Sequence, residues 1–214
     1  MPVTPVDFAS LLCSRLCHDL LSPVGALNNG LELLADETDP AMRARVTELL
    51  HESARASAAK LKFFRLAFGA AGGFGEMVDV REARAAIEAL LADSKRTELG
   101  WLVEAGELPK AAIKVLLNLA LIAHDALVRG GKLDIGAEAN GGLVEIVVRI
   151  EGPRIILDPE LRDTLTGGER EGGVTSRAAG AFLVHSLVAE GDGRVLVSAS
   201  DDDVTVFGAT FKAS

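Results

Sequence analysis

Apolar residues recur at spacings of three and four along the opening of the chain, at Leu12, Leu16, Leu20, Val24, Leu27, Leu31 and Leu34. This period predicts one long amphipathic helix beginning near Pro5. The period breaks between Asp36 and Pro40, where Asp39 is suited to cap a second helix and Pro40 to occupy its first turn. A second stripe follows through Val46, Leu50, Ser53, Ser57, Leu61, Phe64 and Phe68. Two helices joined by so short a break predict an antiparallel hairpin. One hairpin cannot enclose a core, whereas two pair as a four-helix bundle, so a homodimer is expected.

The run Gly69 to Gly75 ends the helical period and is expected to divide the chain into residues 1–72 and 73–214. Beyond it the pattern alternates. A helix is predicted near Val80 to Leu91, a strand near Leu99 to Val103 and a helix near Pro109 to Val128. Strands Lys132 to Glu138 and Leu143 to Ile150 flank Asn140-Gly141, a strong hairpin signal. A helix near Ser176 to Ala189 then precedes strands near Arg194 to Ser200 and Val204 to Phe211, turned across Asp201 to Asp203. The expected fold is α+β: a helical hairpin followed by a sandwich in which helices cover one face of a mostly antiparallel sheet.

Composition narrows the function. The 214 residues are 49% hydrophobic and carry a formal net charge of −9, without a cluster of Lys and Arg. Nucleic acid and acidic membrane surfaces are therefore not expected partners. Charges interrupt every apolar stretch well short of the roughly 20 residues a spanning helix needs, and the opening residues lack a basic leader pattern, so a cytoplasmic location is expected. Cys13 and Cys17 are the only cysteines. They are too few for a disulfide framework or a closed zinc site and are expected to stay reduced, as small buried residues at the dimer seam.

His18 falls roughly 180° from the centre of the leucine stripe and should face solvent. An arbitrary surface histidine does nothing, but the context of this one is unusual. Asp19 follows it, Ser22 lies four residues on, and Pro23 five on, inside a helix with no other reason to tolerate proline. A proline there removes a hydrogen bond to the Asp19 carbonyl, at about 3 kcal/mol if nothing compensates. A neutral imidazole can attack phosphorus in line, and a neighbouring carboxylate can hold the other ring nitrogen in the productive tautomer. Asp19 suits that task. Arg15, one turn earlier, either stabilises charge on phosphoryl oxygens or belongs to a solvated face. His51, His124 and His185 have no ligand-spaced companions and are expected to pack or to lie at the surface.

Segment Cys17-His18-Asp19-Leu20-Leu21-Ser22-Pro23-Val24 resembles the H-box of sensor histidine kinases, in which a phospho-accepting His precedes an acid, a small polar residue and a proline. Segment Val115 to Ala123 resembles their N-box helix, whose Asn, here Asn118, coordinates the magnesium of ATP in true kinases. The nucleotide motifs then decay. Glu151-Gly152-Pro153-Arg154 stands where kinases carry an Asp and a glycine pair, and Gly167-Gly168-Glu169-Arg170-Glu171-Gly172-Gly173 sets two carboxylates where a triphosphate would approach. Asn118 is accordingly expected to be a packing or relict residue. The second unit thus resembles a degenerate histidine-kinase ATP-binding domain.

Over essentially its whole length the chain resembles the dimeric histidine phosphotransferases of the alphaproteobacterial cell-cycle phosphorelay. That resemblance implies a phospho-acceptor at His18 helped by Asp19, with Arg15 and Ser22 in support. It implies receipt of the group from the receiver of a CckA-like hybrid kinase and delivery to CtrA-like and CpdR-like response regulators. No cofactor is expected on the chain itself, with Mg2+ held by the partner receiver. Lys60, Lys62 and Arg65 either face an acidic receiver or form a solvated face. Two alternatives stay open: an active ATP-dependent kinase, and a non-catalytic scaffold that docks receivers.

Overall fold

The structure, a computed structural model, describes residues 3–69, 76–92, 96–169, 173–199 and 203–213. Helix α1, Pro5–Asp36, begins with a reciprocal cap in which Thr4 Oγ1 accepts from the Asp7 amide and Asp7 Oδ2 accepts from the Thr4 amide. Helix α2, Pro40–Ala67, starts as expected, with the Asp39 carboxylate accepting from the amides of Ala41 and Met42. Arg43 ties the turn by donating to the carbonyls of Leu34 and Glu37. The two helices pack antiparallel, with Gly30 of α1 buried against Val46 and Leu50 of α2.

The rest of the chain runs β1 Met77–Asp79, α3 Val80–Leu91, β2 Thr97–Trp101, β3 Glu107–Pro109, α4 Lys110–Ala126, β4 Gly131–Asn140 and β5 Leu143–Glu151. It closes with α5 Pro159–Gly167, α6 Ala179–Glu190, β6 Arg194–Val197 and β7 Val204–Lys212. The main sheet has the order β2-β4-β5-β7-β6, parallel between β2 and β4 and antiparallel elsewhere. Strand β5 buries Val144, Ile146, Val148 and Ile150 on one face, and β7 buries Thr205, Phe207, Ala209 and Phe211 beside them. That period of two leaves the opposite face in solvent. Helices α4 and α6 pack on the buried face and on each other. The β4–β5 turn uses Gly141 at φ 59° and Gly142 at φ 83°, the left-handed pair that a two-residue hairpin requires.

The expected α+β architecture is present, with differences at several ends. The strand predicted at Leu99 to Val103 occupies Thr97–Trp101, that at Arg194 to Ser200 stops at Val197, and the helix predicted from Ser176 starts at Ala179. The small β1–β3 pair escapes a pattern reading because three residues are too few to show a period. Helix α5 escapes it as well, although Asp158 caps it and Pro159 opens it. Cys13 and Cys17 are both exposed in the protomer, and the dimer seam expected to cover them would need a second chain. The expected boundary at residues 72 and 73 lies outside the described residues, as do parts of the second glycine run and of the Asp201 to Asp203 turn.

The core itself positions the site. The last turns of α2 contribute Phe63, Phe64, Leu66 and Ala67 to the same buried cluster as α4 and the sheet. The hairpin is thereby anchored in the sandwich through α2, and α1 lies across it.

Candidate functional site

His18 projects from α1 with 84% of its side chain exposed, while the Asp19 side chain is 16% exposed. Nδ1 of His18 lies 3.0 Å from Oδ1 of Asp19. With its proton on Nδ1, the imidazole donates to the carboxylate and leaves the Nε2 lone pair open. Ser22, one turn further along, is exposed on the same side of the helix.

The other carboxylate oxygen of Asp19 is held by Arg15, whose Nε donates to Oδ2 at 2.7 Å. Arg15 also reaches out of α1: Nη2 donates to Asp125 Oδ2 at 3.2 Å and Nη1 to the Arg177 carbonyl at 3.3 Å. Burial opposes its charge, but Asp19 and Asp125 outweigh that cost and raise its pKa further. Arg15 is therefore a bridge between α1 and the sandwich and not part of a solvated face. A second tie comes from α2, where the Lys60 ammonium donates to the Asp19 main-chain carbonyl at 2.9 Å. Among the candidate basic residues of α2, Lys60 thus turns inward, while Lys62 and Arg65 are exposed.

Arg15, His18, Asp19 and Lys60 line an open cleft of about 1100 Å³ between α1 and the sandwich, with His124 and Asp125 of α4 on its far wall. His124 is half-buried and its Nδ1 has no hydrogen-bond partner; burial pushes its pKa down, with Asp125 pulling the other way. His185 places Nδ1 3.2 Å from the Leu165 carbonyl, a packing contact.

The kinase-like motifs are occupied by structural contacts. Asn118 is fully buried, and its amide nitrogen donates to the carbonyls of Ala67 and Lys114. Its Oδ1 abuts Gly180 so closely that a Cβ there would lie 2.8 Å away. Glu151 pairs with Arg149 at 2.6 Å, and Glu169 accepts from the Val3 amide at 3.0 Å. Among the described residues no group of three or more His, Cys, Asp or Glu side chains is placed to hold a metal ion. No helix among them is long and apolar enough to cross a membrane.

The sequence reading named His18, Asp19, Arg15 and Ser22, and the first three do meet in contact. It missed Asp125, which no spacing links to Arg15, and the inward role of Lys60. For the latter a signal existed: Pro23 announces an orphaned Asp19 carbonyl that needs a donor from elsewhere.

Residues 80–203 match the family model of the histidine phosphotransferase C-terminal domain, and the chain belongs to the histidine phosphotransferase family. It is 35% identical over 215 residues to the protein phosphotransferase ChpT of Brucella abortus (strain 2308), a match covering 98% of this chain and 99% of that protein. A bacterial phosphotransferase solved at 1.7 Å superposes with a TM-score of 0.85 at 31% identity, covering 98% of each chain. Phosphotransfer is the activity of the class, and the hairpin and sandwich are its fold.

Proposed function

We propose that this protein relays phosphoryl groups between receiver-domain aspartates through His18. The observation that carries the reading is the exposed imidazole with Nδ1 held by Asp19. In the forward step Nε2 attacks the phosphorus of a receiver's phosphoaspartate. The N–P bond forms as the P–O bond breaks, the receiver carboxylate leaves with the electron pair, and the Nδ1 proton stays on the ring against Asp19. Delivery to a second receiver is the reverse step. Such transfers pass through a loose transition state, so a rigidly presented nucleophile supplies most of what the carrier must contribute. Mg2+ belongs to the receiver's own site.

The family resemblance supports a CckA-like hybrid kinase as donor and CtrA-like and CpdR-like regulators as acceptors. A homodimer is supported by apolar side chains left exposed on both helices, among them Leu21, Val24 and Leu31 on α1 and Leu49 on α2. Pairing two hairpins would cover them and present two His18 sites related by symmetry. Asn118 and the carboxylates of the former glycine runs support a chain that draws its phosphoryl group from a receiver and not from ATP.

The test is incubation of the full chain with labelled ATP and Mg2+, alone and then with a phosphorylated receiver. Acid-labile label that requires the receiver and is lost in His18→Ala is the expected result. Label from ATP alone would make the protein a kinase, and no label in either case would make it a scaffold.

A further inference from the structure

Pro23 lies inside α1 and has no N–H, so the Asp19 carbonyl four residues earlier lacks its helical donor. An unpaired carbonyl at this point is where a helix bends or loosens. Here the missing donor is supplied across the hairpin by the Lys60 ammonium at 2.9 Å. A charged donor makes the stronger kind of hydrogen bond.

Lys60 stands on a firm part of α2. Phe64, one turn on, is 2% exposed, stacks on Phe68 at 5.1 Å between ring centroids and meets Phe63 edge-on at 5.8 Å. Contacts therefore run unbroken from the core through the last turns of α2 to the Asp19 carbonyl. On the same residue, the Asp19 carboxylate meets His18 Nδ1 at 3.0 Å.

Building on the relay reading, we infer that Lys60 is a positioning residue for phosphotransfer: it caps the carbonyl that Pro23 orphans and thereby fixes the helical turn carrying His18. Its bonded partner is main chain, so its effect on the reaction passes through Asp19 and His18. The competing role, a cation that docks an acidic receiver, makes a different prediction. A docking cation acts on KM and weakens with salt, whereas a positioning residue acts on the rate at saturation.

Pro23→Ala makes the two separable, because an alanine at this position returns an N–H to the Asp19 carbonyl. Transfer from a phosphorylated receiver to the full chain is timed in single turnovers, for Lys60→Met alone and combined with Pro23→Ala, with helical content and thermal unfolding recorded for each. In the Pro23 background Lys60→Met should slow saturated transfer roughly tenfold with little change in KM, the scale of losing one charge-assisted hydrogen bond. In the Pro23→Ala background the same change should cost less than about twofold, because the carbonyl has its helical donor again. Lys60→Arg, which keeps a cationic donor, should retain most of the rate. Transfer that survives His18→Ala overturns the relay reading and this inference with it. Transfer that dies with His18→Ala overturns the role of Lys60 alone if Lys60→Met is neutral, raises only KM, or is equally harmful in both Pro23 backgrounds.

Discussion

Arg15 and Asp19 form an ion pair one helical turn apart, with Nε 2.7 Å from Oδ2 and side chains only 17% and 16% exposed. The same guanidinium continues to Asp125 on α4, so the acid that touches His18 is wired to the sandwich through one residue. Arg15→Met should destabilise the protein by about 1–3 kcal/mol, because it strands a largely buried carboxylate. Urea denaturation would show this as a lower midpoint. Asp125 is half exposed, so a cycle with Asp125→Asn should reveal a coupling to Arg15 of only about 0.5–1 kcal/mol.

Asn118 and Gly180 are coupled by space. A Cβ on Gly180 would meet Asn118 Oδ1 at 2.8 Å, and that oxygen has no partner to lose. Gly180→Ala should therefore destabilise the protein by about 1–3 kcal/mol, and much less in an Asn118→Ala background. Asn118→Asp should be worse than Asn118→Ala: both lose the donor to the carbonyls of Ala67 and Lys114, but the aspartate also buries a carboxylate against those two acceptors. Thermal unfolding of the four variants tests the ordering.

His124 sets a pH dependence of stability. Burial holds its pKa below the ordinary 6.5, against the pull of Asp125. Below that value the unfolded chain binds a proton that the folded chain resists, so stability is lost as pH falls through about 6.5 and recovers as pH rises. His124→Gln should flatten this slope. Denaturation midpoints between about pH 7.5 and about pH 5.5 would show it, and an unchanged slope would mean that the native imidazole takes its proton freely.

The fold was largely legible because its long elements are strongly periodic. The α1 stripe, the Asp39 cap, the glycines of the β4–β5 turn and the alternation of β5 each carry their own local signal, although the turn falls on Gly141-Gly142 and Asn140 closes β4. The three-residue β1 and β3 strands carry none. The site was legible where its residues share one helix: His18, Asp19 and Arg15 sit about one turn apart. It was not legible where partners converge from distant segments, as Asp125 and the Arg177 carbonyl do on Arg15. Lys60 falls between the two cases. Pro23 marks the carbonyl that needs a donor, but only the crossing of α1 with α2 says which residue supplies it.

The exposed apolar arc of the hairpin bears on the dimer. Leu21 is 69% exposed and Leu31 60%, although both lie well inside a long helix. If two hairpins pair through this arc, Leu31→Glu combined with Leu49→Glu should shift the protein to monomer by placing like charges in the seam. Sedimentation equilibrium reads this directly, and a wild-type protein that is already monomeric at micromolar concentration would contradict the bundle.

The central claim is that His18 itself holds the phosphoryl group in transit. The full chain should be charged from a receiver bearing labelled phosphoaspartate, separated from it, and cleaved to locate the acid-labile label before a second receiver is added. The account predicts label on the peptide containing His18 alone, and its loss to the second receiver on mixing. Label on another histidine, or label on His18 that no receiver can discharge, would contradict it.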